Sequence, residues 1–108
     1  MIEEQPKAEW QKLPRPGCHN VEFRLLLQKD GLAVANLRFG PEATIDRHSA
    51  GWEIDVICLA GEGIVDVGDD SSALRAGETV RWPAGVDHCL RTAGHEMETL
   101  MIERHGIG

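Results

Sequence analysis

The sixteen residues from Gly77 to Thr92, reading GETVRWPAGVDHCLRT, restrict what this chain can fold into more than any other stretch. They set Gly77, Pro83, Gly85 and His88 at the spacing G-x5-P-x-G-x2-H. Thr79-Val80-Arg81-Trp82 is rich in residues that favour strands, Pro83-Ala84-Gly85 is a turn, and Cys89-Leu90-Arg91 begins a return strand. A strand, a tight turn and a return strand are a unit of antiparallel sheet. His88 then stands at the start of a strand, where its ring can point inward.

The rest of the chain repeats that grammar. From Val21 onward, short strand-prone runs follow one another, broken by Gly, Asp and Pro. Val21–Leu27 and Leu32–Phe39 flank Gln28-Lys29-Asp30-Gly31, where Asp-Gly marks a hairpin. Ile54–Leu59 is an almost unbroken apolar run, closed by Gly61-Glu62-Gly63 and followed by Ile64–Val67. Gly68-Asp69-Asp70-Ser71-Ser72 reads as a polar turn. Val80–Trp82, Cys89–Thr92 and Met97–Glu103 supply further strands, and no segment carries a helical period. Strands with turn signals every 8–12 residues indicate an all-β sandwich or barrel. Residues 1–20 are polar and hold Pro6, Pro14, Pro16 and Gly17, so they read as a short irregular N-terminal arm, laid on the barrel through Trp10 and Leu13. The division expected is an arm over 1–20 and one barrel domain over 21–105.

At 108 residues the chain has room for one core. Its net charge of −7 is scattered, which suits a solvated surface, and no basic stripe offers contacts to nucleic acid. No apolar run reaches membrane-spanning length, and the opening Met1-Ile2-Glu3-Glu4 lacks the features of a signal peptide. Cys18, Cys58 and Cys89 are odd in number with no CxxC pair, so a cytoplasmic location is expected.

The stretch Gly77–His88 resembles the second conserved motif of the cupin family, and Pro41–Gly63, PEATIDRHSAGWEIDVICLAGEG, resembles the first. The resemblance runs from about Leu32 to Glu103 and implies a cupin double-stranded β-helix, a jelly-roll-like barrel. Laid on the family pattern without a gap, Pro41 matches its leading Pro, His48 its first His, Trp52-Glu53 its Trp-Glu pair and Gly61-Glu62-Gly63 its closing turn. In that register the second His is Ala50 and the metal-binding Glu is Ile54, while His88 keeps the last ligand position. The family's chemistry usually depends on a divalent metal held by three His and one Glu. Here the resemblance implies a partial metal site of His48 and His88, and so a weakened or absent metal.

A second register sets Asp46-Arg47-His48 in place of His-x-His and implies the ligand set Asp46, His48, Glu53 and His88. Strand alternation lets Asp46 and His48 share a face, but Glu53 then lies one residue too far from Gly61, a slip that reverses a side chain's face unless a bulge absorbs it. The gap-free register is preferred.

Two functions follow. The first is a module binding a small organic ligand in the barrel, with His48, Ala50, Ile54, Trp82 and His88 around it. The second is a metal-dependent oxygenase or isomerase using the mixed ligand set. Metal-free epimerases of that fold rely on a Tyr, and this chain has none. A homodimer is expected, because small barrels leave edge strands that need cover. Trp82 and Trp52 read also as packing residues, Cys58 as a buried small hydrophobe, and His95 and His105 as solvated. Asp87 and His88, adjacent in a strand, point to opposite faces.

Overall fold

Asp30 and Gly31 both adopt the left-handed backbone (φ 50° and 77°), which a two-residue hairpin of the expected kind requires. That turn joins β2 (Cys18–Lys29) to β3 (Leu32–His48), with Lys29 facing Leu32. The computed structural model describes residues 1–105, and among these it holds eight strands and no helix. The others are β1 (Gln11–Lys12), β4 (Glu53–Val67), β5 (Asp70–Arg75), β6 (Thr79–Trp82), β7 (His88–Arg91) and β8 (Met97–Arg104). The protein is all-β, and every pairing is antiparallel.

Two long strands carry the architecture. Strand β3 pairs with β8 over Leu32–Phe39 and then with β7 over Thr44–His48. Strand β4 pairs with β8 over Glu53–Gly61, with β6 over Ile54–Ile57, and then with β5 and β7 beyond Gly61. The circuit β3–β8–β4–β7–β3 is therefore closed by hydrogen bonds, which makes a barrel. Within each paired strand alternate residues point inward. Leu37 and Phe39 of β3, Val56 and Cys58 of β4, Leu90 of β7 and Met101 of β8 form the buried centre.

The sequence places a break at Gly61-Glu62-Gly63, whereas β4 runs through it without interruption. Gly61 (φ 74°) bends the strand instead, and a Cβ there would lie 1.9 Å from the Glu96 carbonyl oxygen. The strand turns a corner of the barrel at a residue that only glycine can fill. The expected turn over Gly68–Ser72 is also shorter than read. Only Gly68-Asp69 forms the loop, and Asp70–Arg75 is an edge strand of which Leu74 alone is buried, too polar to be recognised. At the N-terminus, β2 starts at Cys18, and Gln11–Lys12 pairs with Phe23 and Glu22. The Trp10 ring lies beneath the guanidinium groups of Arg24 and Arg38, and Leu13 packs on the core.

Candidate functional site

Strand β3 ends at His48 and β7 begins at His88, and a register shift after Ile45 brings the two face to face. Their Nε2 atoms are 3.2 Å apart, with the rings edge to face. His88 is 1% exposed, so its charged form would lose its hydration. Burial, reinforced by the neighbouring His48, lowers its pKa from 6.5 to about 4, and the ring is neutral at neutral pH. Trp82, the last residue of β6, stacks on the other side of His88 with ring centroids 3.8 Å apart and planes 13° from parallel. Trp82 in turn sits opposite Ile54 of β4, and both are buried.

The hydrogen-bond partners assign the protons. His48 Nδ1 lies 2.8 Å from the Asp46 carbonyl oxygen, which can only accept, so Nδ1 carries the proton. In the neutral ring Nε2 is then an acceptor, and it receives Nη1–H of Arg15 at 2.8 Å as well as Nε2–H of His88. His88 Nδ1 and the Trp82 Nε1 donor are buried without a hydrogen-bond partner among the described residues. One lone pair and two converging donors thus meet at the end of the barrel, with a stacked aromatic wall behind them.

Of the five residues expected around a ligand, His48, His88, Trp82 and Ile54 form one continuous row. Ala50 is half-buried in the following loop, and its carbonyl accepts the Gly85 N–H at 2.8 Å, tying that loop to the Pro83-Ala84-Gly85 turn. Ile54 and Trp82 are packed wall, so the approach to the pair is from the half-buried His48 side.

The mixed ligand set is not gathered. Glu53 faces Arg81 and Arg104, at 3.4 and 3.7 Å, and the exposed Asp46 carboxylate accepts from Thr44 Oγ1 at 3.3 Å. Among the described residues no group of three or more His, Cys, Asp or Glu side chains converges on one point. A metal of the kind the barrel's resemblance implies would find two imidazoles, with Arg15 on the lone pair it needs, so the donors present do not fit that shell.

Three arrangements escape the sequence. Arg15 reaches His48 from 33 residues away, and nothing local marks it. Asp55 lies inside the apolar run of β4 on its outer side, where Arg104 (2.7 Å) and Arg81 (3.0 Å) bind it and hold its carboxyl below the usual range; an acid in an apolar strand was itself the signal that partners existed. His105, expected in solvent, is half-buried, and its ring lies on Trp52 with centroids 4.3 Å apart. His95 is exposed beside Glu62, as expected. Cys58 is fully buried, and burial raises its thiol pKa, which suits an unreactive packing residue.

Comparison with known proteins gives the same architecture. The family model described as the cupin domain matches residues 36–103. The polyketide cyclase RemF of Streptomyces resistomycificus superposes with a TM-score of 0.87 at 18% identity, over 98% of this chain and 81% of that one. An RmlC-like cupin from Shewanella frigidimarina gives 0.82 at 18%, over 94% and 86%, and a cupin 2 barrel protein from Rhodopseudomonas palustris 0.81 at 15%, over 92% and 72%. No curated protein matches significantly. At such identities the likeness is one of fold.

Proposed function

The chain belongs to the cupin family, and from that premise we propose that it binds a small organic ligand at the barrel end where His48 and His88 meet. The observation that carries this reading is the pair itself. Two side chains from different strands bring their Nε2 atoms to 3.2 Å, backed by Trp82 and with the half-buried His48 ring on the solvent side. A lone pair and convergent N–H donors against an aromatic wall make a site that fixes the orientation of a polar group on an apolar body. The likeness to a polyketide cyclase supports an organic ligand, since that protein handles one on the same fold.

The test is a titration of the protein with a panel of neutral and charged aromatic fragments, followed by the imidazole ¹H–¹⁵N resonances. Binding should move the His48 and His88 signals together, and His48→Ala should weaken it at least tenfold. A panel that leaves both rings unmoved defeats the reading.

A metal-dependent enzyme is the second reading, favoured by one distance. Two nitrogens bound at about 2.1 Å to a tetrahedral ion lie about 3.4 Å apart, close to the 3.2 Å between these two. Calorimetric titration with nickel or manganese separates the readings. Weak binding by the native chain, and binding tighter by orders of magnitude after Ala50→His with Ile54→Glu, supports the ligand-binding module; tight binding by the native chain supports the enzyme.

A further inference from the structure

Resting on the reading above, we propose that the ligand carries a carboxylate and that Arg15 recognises it. Among the described residues, Arg38, Arg75, Arg81, Arg91 and Arg104 each pair with an acid of this chain, whereas Arg15, Arg24 and Arg47 pair with none; Arg24 is spent on Asn36 and Trp10 and Arg47 on the Gly68 carbonyl, and Arg15 alone of the three reaches the histidine pair. In a chain of net charge −7, an exposed guanidinium left without an acid at the lip of the site is a cation held for something else. Asp46, on the same rim, lies beyond ion-pair distance and is bonded to Thr44.

The position of Arg15 is built in. It stands between Pro14 and Pro16, and the following proline confines its backbone to the extended region. The Cys18 N–H closes a turn onto the Arg15 carbonyl at 3.2 Å, and the Asp46 N–H binds the Gly17 carbonyl at 2.9 Å, fastening that turn to β3. The backbone is therefore fixed beside the site while the long side chain stays free to reorient.

In this state the guanidinium spends one donor on a neutral imidazole nitrogen, at 2.8 Å. Two parallel charge-assisted bonds to a carboxylate are stronger and more directional than that contact. A carboxylate arriving at the lip draws Arg15 off His48 Nε2 and leaves that nitrogen in contact with His88 Nε2 alone, which changes the surroundings of both rings. Arg15 thus both closes the site when it is empty and selects what opens it. Selection is by charge and by the planar fork, which lysine does not supply.

The experiment uses benzoate, benzamide and benzyl alcohol as probes, with the full chain and its Arg15→Gln and Arg15→Lys variants. The readouts are the imidazole resonances of His48 and His88 and the side-chain Nε–H signal of Arg15. Benzoate should move all three in the native chain, and at least tenfold more weakly in Arg15→Gln. Arg15→Lys should recover only part of the loss, and raised salt should weaken benzoate alone. If the two neutral probes bind at the histidines as well as benzoate, or if Arg15→Gln binds benzoate unchanged, the carboxylate assignment is wrong and the ligand site stands. If no probe moves either histidine, both fall together.

Discussion

His88 titrates far from its ordinary value, and that carries a consequence for stability. The unfolded chain takes up the proton near pH 6.5, the folded protein only near about 4. Between these values the unfolded state holds more protons, so stability is complete above about pH 6.5, declines as pH falls, and levels off below about 4. The gap corresponds to about 3 kcal/mol. Urea denaturation at intervals from pH 7 to 4 should trace that decline, and His88→Phe, which keeps a ring against Trp82, should flatten it. The carboxylates act elsewhere on the scale. Asp55, held below its usual 3.8 by Arg104 and Arg81, and Asp66, held below it by Ser71 and Arg91, lose their contribution only as pH falls below about 3.8. Both histidines of the pair were legible because they keep their motif spacing. Arg15 was not, since its partner depends on how the arm crosses the barrel.

Among the elements, β4 shows how much one position can hold. At Gly61 a side chain meets both a left-handed backbone and a carbonyl oxygen 1.9 Å from its Cβ. Gly61→Ala should therefore cost about 3 kcal/mol or more, read as a lowered denaturation midpoint with unchanged slope; a loss below about 1 kcal/mol would mean that β4 and the Glu96 turn move apart freely. The same residue shows the limit of reading strands locally. Gly-Glu-Gly marks the place where the chain departs from a straight strand, but whether it stops or bends depends on whether a partner waits beyond, and β5 and β7 do. The Asp30-Gly31 turn needs no such knowledge, because its two residues alone favour the conformation they adopt. Strand β5 lay hidden for the opposite reason: five of its six residues are exposed at a sheet edge, so no alternation betrays it.

For the molecule as a whole, the arm and the barrel should be separable in stability though they touch. Deleting residues 1–16 removes the Leu13 packing, the Leu13 N–H bond to the Val21 carbonyl and the Trp10 cover over Arg24 and Arg38. The shortened chain should keep its β-type circular dichroism and lose about 1–3 kcal/mol. Failure to fold would make the arm part of the barrel's core. Barrel class followed from turn spacing and motif, but its closure did not, because β8 meets β3 at partners as far apart in the chain as Leu32 and Arg104. That closure has a further consequence during synthesis. Each of β5, β6, β7 and β8 pairs with β3 or β4, and none pairs with another of the four. Strand β4 likewise has no partner earlier in the chain. A nascent chain leaving the ribosome can form its β2–β3 hairpin early, and the second half of β4 can pair with β5, yet the apolar first half of β4 must wait for β6 and β8. Chaperones that shield emerging apolar segments should therefore engage this chain over Ile54–Leu59, and release it only once Met97–Arg104 has cleared the exit tunnel.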